Sequence, residues 1–120
     1  MTFIKRVLLY VCALTTATTF PAVAGKLFIS NERDNTVTVV DSKTFELLNT
    51  IETGRRPRGL ITSPDGKFIY VCVGDDDAID VVDVETMKVI RQLEPGPDPE
   101  LLDVDPTGKR IYIATRTMPW

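Results

Sequence analysis

One short pattern occurs twice in this chain. Gly66-Lys67-Phe68-Ile69-Tyr70-Val71 returns as Gly108-Lys109-Arg110-Ile111-Tyr112-Ile113, 42 positions later. At the same offset Val39-Val40-Asp41 returns as Val81-Val82-Asp83, and Thr44, Glu52, Gly54, Pro57, Leu60 and Pro64 return as Thr86, Glu94, Gly96, Pro99, Leu102 and Pro106. A repeat of this length is one supersecondary unit that cannot bury its own faces, so such a chain folds by stacking its copies.

The copies read as strands. Lys26–Ser30, Thr36–Val40, Phe45–Ile51 and Gly59–Thr62 are strand-length runs in the first unit, and Phe68–Val73, Ala78–Val82, Met87–Leu93 and Leu101–Val104 repeat them. Val37 and Val39 alternate with Thr36 and Thr38, which gives a strand two unlike faces. Ser63-Pro64-Asp65-Gly66 and Asp105-Pro106-Thr107-Gly108 are Pro-x-Gly turns, where proline presets φ and glycine takes the positive φ. No amphipathic run is long enough for a globular helix. Four short strands per copy at this period describe an all-β fold of four-stranded antiparallel β-propeller blades. The chain holds about two blades plus one strand (residues 25–114).

Strand order places the loops. Antiparallel neighbours reverse direction, so alternate connectors share one end of the sheet. Asn31–Asn35, Arg55–Arg58, Gly74–Asp77 and Pro97–Glu100 then gather at one mouth of the central channel. The candidate ligand-binding residues lie there. Arg55, Arg56 and Arg58 form a basic cluster that can grip a carboxylate or phosphate, or pair with the acidic loop beside it. Asp75, Asp76 and Asp77 lack the alternating spacing of a calcium loop and read as a tight strand connector; no metal site is expected. Asp98 lies between Pro97 and Pro99 and Glu100 follows Pro99, so the two prolines hold both acids in a stiff loop.

Composition narrows the chemistry. The 120 residues include no histidine, which removes a Ser-His-Asp triad and histidine-ligated zinc or haem. Residues 1–24 have the three parts of a secretory signal peptide: basic Lys5-Arg6, apolar Val7–Leu14, and Ala22-Val23-Ala24 before cleavage. Losing Lys5 and Arg6 takes the net charge from −3 to −5, which argues against general affinity for nucleic acid or anionic lipid. Cys12 leaves too, so no intrachain disulfide forms. Cys72, mid-strand among apolar residues, reads as an inert buried thiol.

LFISNERDNTVTVVD, IYVCVGDDDAIDVVD and IYIAT resemble the repeat of the YVTN-type β-propellers, secreted or surface proteins that usually have seven blades. RPRG at Arg56–Gly59, CVGDDD at Cys72–Asp77 and GPDPEL at Gly96–Leu101 are similar to the periplasmic propeller associated with pyrroloquinoline-quinone-dependent alcohol catabolism. That resemblance implies a periplasmic, non-catalytic accessory or binding role beside a quinoprotein dehydrogenase system. It brings no cofactor of the chain's own and no catalytic residues. The alternatives are a lactonase-like propeller enzyme and a surface structural or adhesive repeat protein.

Residues 115–120 depart from the repeat. Thr115–Trp120 can be encoded ACG AGG ACG ATG CCA TGG, and one A restored before it reads Asn-Glu-Asp-Asp-Ala-Met, the connector expected there. The expectation is a frameshifted tail on an incomplete propeller, marginal in stability and prone to self-association through open blade edges. Coding DNA downstream that holds no further repeat in another frame would refute it.

Overall fold

The structure, a computed structural model, describes residues 25–116. The expected signal peptide and the last four residues lie outside these. Among the described residues, nine strands fall into three antiparallel sheets. The first sheet is β1 (Lys26–Asn31), β2 (Thr36–Asp41) and β3 (Leu47–Glu52). The second, with four strands, is β4 (Pro57–Thr62), β5 (Phe68–Val73), β6 (Ala78–Asp83) and β7 (Lys88–Leu93). The third pairs β8 (Pro99–Val104) with β9 (Ile111–Thr115). The sheets are thus offset by one strand from the repeat as it is written in sequence. The short strand before each Pro-x-Gly turn opens the next blade.

The structure moves several strand boundaries. Expected starts at Phe45 and Met87 give way to Leu47 and Lys88, because both residues adopt left-handed backbone, φ 58° and 54°. They are held there by turns: Phe45 N–H donates to the Asp41 carbonyl at 3.0 Å and Met87 N–H to that of Asp83 at 2.8 Å. The Asp41 carboxylate also accepts from Lys43 and Thr44 N–H, and that of Asp83 from Thr86 N–H. These bonds hold both acids below their ordinary range. β4 and β8 begin two residues earlier than expected, at Pro57 and Pro99. β9 runs through Thr115, and Arg116 N–H donates to the Asp98 carbonyl at 2.9 Å. This matches Gly74 N–H to the Arg56 carbonyl, 42 residues earlier. The backbone of the repeat therefore persists through Arg116, two residues past the expected break after Ala114.

The sheets stack face to face, and the core lies in the two gaps. Between the first and second sheets sit Val37, Val39 and Ile51 against Ile69, Val71, Val73 and Val82. Between the second and third sit Tyr70, Ile79 and Val81 against Leu102, Val104, Ile111 and Ile113. Each fully buried valine or isoleucine contributes about 1.5–3 kcal/mol of burial. The middle sheet is covered on both faces, which is why β5 and β6 read as nearly continuous apolar runs.

Candidate functional site

Four connectors meet at one end of the stack, as antiparallel alternation requires. Their tips use left-handed backbone at Asn35, Arg56, Asp77 and Asp98, with φ between 43° and 60°. The sites form two repeat-related pairs. In each pair a side chain fastens the following loop: Asn35 Oδ1 accepts from Arg56 N–H, and Asp77 Oδ1 from Asp98 N–H, both at 2.8 Å. A buried carboxylate anchors the same region from below. Asp80 accepts from Gly54 N–H and from the Gln92 side-chain amide, each at 2.7 Å.

The sequence-predicted charges do converge here, and they engage one another. Arg55 binds Asp76 twice, through its backbone N–H at 2.5 Å and its Nε at 2.7 Å. The hydrogen bond raises the Arg55 pKa, and the two bonds lower that of Asp76, the backbone one first. Arg56 Nη2 donates to Asp98, which raises the Arg56 pKa, and its Nε lies 3.1 Å from Asp75 Oδ1 without the alignment of a hydrogen bond. Arg58 Nη1 donates to Glu100, while its Nε and Nη2 reach Glu32 Oε1 at 3.1 Å. Arg116 Nη1 lies 3.9 Å from the same Glu100 carboxylate.

Asp75, Asp76 and Asp77 thus address three different partners: Arg56, Arg55 and the backbone of Asp98. Glu32, Arg116 and Asp80 were not among the residues singled out from sequence. Gly74 allows the central pair to form, since a Cβ there would lie 2.7 Å from both Arg56 Nη2 and Asp98 Oδ1. An anion entering this mouth has to displace a carboxylate already held by an arginine. Beside Arg58 is a cleft of about 440 Å³ lined by Ser30, Glu32, Pro57, Gly59, Glu100 and Leu101.

A family model for YNCE-like β-propellers matches residues 3–118. The chain belongs to that family. Its architecture is similar to Kuenenia stuttgartiensis hydrazine synthase, at 33% identity and TM-score 0.72, over 75% of this chain and 26% of that one. It is also similar in fold to a putative 6-phosphogluconolactonase from Bacteroides fragilis, at 20% identity and TM-score 0.66, over 74% of this chain and 28% of that one. A Kluyveromyces lactis protein, HIR2, is 38% identical over 52 residues, which is 43% of this chain and 6% of that protein. The chain therefore spans about a quarter of the two solved structures and a smaller part of the third protein.

Cys72 lies on the β5 face turned toward the third sheet and is fully buried. Burial pushes its thiol up to about 11. We expect it to resist a disulfide reagent at pH 8 in the native chain and to react at least about 100-fold faster in denaturant, since thiolate fraction and access both limit the rate. Equal native and denatured rates, followed spectrophotometrically, would contradict its burial.

Proposed function

We propose that this chain is the blade-forming part of a periplasmic accessory or binding propeller that serves quinoprotein alcohol oxidation without catalysing it. One observation supports this above the rest. The three segments that carry the narrower resemblance, Arg56–Gly59, Cys72–Asp77 and Gly96–Leu101, are neighbours at the channel mouth, joined by Arg56–Asp98, Arg56–Asp75 and Arg58–Glu100. What distinguishes this sequence among propellers is then concentrated on one recognition surface. Its side chains are fixed by one another before a partner arrives, which lowers the ordering cost of docking.

The test pairs genetics with capture. Deleting the gene should slow growth on a primary alcohol but not on an organic acid, and tagged protein from the periplasm should retain a quinoprotein dehydrogenase. Unaffected growth on alcohol together with no retained dehydrogenase would sink the reading. Hydrolysis of a lactone panel by the purified protein would replace it with the enzymatic one.

A further inference from the structure

Among the described residues, the outer faces of the first and third sheets repeat the two halves of the contact between sheets. The middle sheet turns Ile69 and Val71 toward the first sheet and Tyr70 toward the third. One repeat earlier, the counterparts of Ile69 and Val71 are Leu27 and Ile29, on the outer face of the first sheet at 42% and 48% exposure. One repeat later, the counterpart of Tyr70 is Tyr112, on the outer face of the third sheet at 56% exposure against 8% for Tyr70 itself. Leu101 lies beside it, also exposed. The two open faces are therefore unlike: one is the receiving kind, the other the covering kind, and the two kinds already dock twice within the chain.

The charged rim has the same polarity. Glu32, Gly74 and Arg116 occupy one repeat position. The ladder Glu32–Arg58–Glu100–Arg116 runs across the sheets and ends in a carboxylate at the head and a guanidinium at the tail. Glu32 and Arg116 each leave about half of the side chain exposed. Apolar faces and rim charges thus complement each other in one sense only, tail to head.

We propose that a second copy of this chain docks head-to-tail, with the Leu101–Tyr112 face of one copy on the Leu27–Ile29 face of the next. Such a contact is heterologous, so it grows by addition until a ring closes. It extends a packing the chain already contains, except at Leu101, which takes the place Gly59 holds against β8 inside the chain; the described residues of the first sheet include no strand at the β8 position.

The heterologous geometry gives a discriminating test by sedimentation velocity on the purified chain. The unmodified protein should assemble as concentration rises from about 1 to 100 µM, a range suited to the micromolar affinities expected of a small interface. Ile29→Glu closes the head and Tyr112→Glu closes the tail, so each variant alone should be monomeric. Their equimolar mixture should form a dimer, because one intact head meets one intact tail. Ile90→Glu, on the exposed strand β7 of the middle sheet and so outside both faces, should assemble like the unmodified chain. Retained β-type circular dichroism certifies folding. Should a glutamate variant unfold, Ile29→Ser and Tyr112→Ser repeat the comparison, with association weakened at least about tenfold. An unmodified chain that stays monomeric would mean that something other than a second copy covers these faces. That result, a mixture that does not dimerise, or an Ile90→Glu chain that loses assembly would overturn the proposal.

Discussion

Replacing Gly59 with leucine, the residue its own repeat carries at position 101, is expected to unfold the chain. β4 and β8 run side by side as edge strands of adjacent sheets. A Cβ on Gly59 would sit 2.5 Å from the Glu100 carbonyl oxygen and 3.0 Å from Leu101 Cα. Both obstacles are backbone, so no rotamer change clears them, and the third sheet must move away from the second. Overpacking a fitted contact costs about 1–3 kcal/mol. A backbone clash belongs at the top of that range, and it also opens the gap that buries Tyr70, Ile79 and Val81. In a domain of marginal stability that loss is decisive. The reciprocal change is the control. Leu101 is exposed on the outer face, so Leu101→Gly should cost no more than about 1 kcal/mol, mostly backbone entropy. Thermal unfolding followed by circular dichroism separates the two; a Gly59→Leu chain that melts with the unmodified protein would show that the inner strands do not approach this closely.

The two positions also show what a repeat reveals and what it hides. The 42-residue period and its strand-length apolar runs disclose all nine strands, because burying both faces of a stacked sheet demands a continuous run of β-branched residues. The period cannot disclose where a copy deviates for local reasons. Phe45 and Met87 look like strand residues by composition, yet each sits in the left-handed region, held by a turn that begins at Asp41 or Asp83. Nothing in an apolar side chain advertises a positive φ.

The mouth was legible in outline for a geometric reason: alternate connectors of an antiparallel sheet must share an end. Its pairing was only half legible. Neighbouring loops put Arg55 beside Asp76 and Arg56 beside Asp75, as proximity in one unit suggests. The pairs Arg56–Asp98 and Arg58–Glu100 each span one full repeat, beyond the pairing with the adjacent acidic loop that the sequence suggests. Glu32 shares its connector with Arg33 and Asp34, and mixed signs there form no one-signed cluster to single out. Asp80 is the one carboxylate inside Ala78–Val82, but its place in a strand gives no sign that it anchors the mouth. Its partners are Gly54, in the connector between β3 and β4, and Gln92, on β7, which only the folded sheet brings near.

Reversing Arg56 alone should destabilise the blades, and reversing Asp98 with it should restore most of the loss. These two residues hold one repeat position in successive copies and face each other across the blade boundary. Arg56→Asp would set a carboxylate against those of Asp98 and Asp75, in a spot only about a quarter exposed. Backbone strain cannot account for the effect, because Arg56 is left-handed at φ 60° and aspartate tolerates that region better than arginine. A fall in the melting temperature is therefore electrostatic, and several degrees is the expected size. Added salt should shrink it by screening the repulsion. In the double variant Arg56→Asp with Asp98→Arg, opposite charges meet again, and the double-mutant cycle should show favourable coupling. If the double reversal melts as low as the two losses added together, the pair does not join the blades, and the mouth owes its shape to the backbone bonds from Asn35 and Asp77 alone.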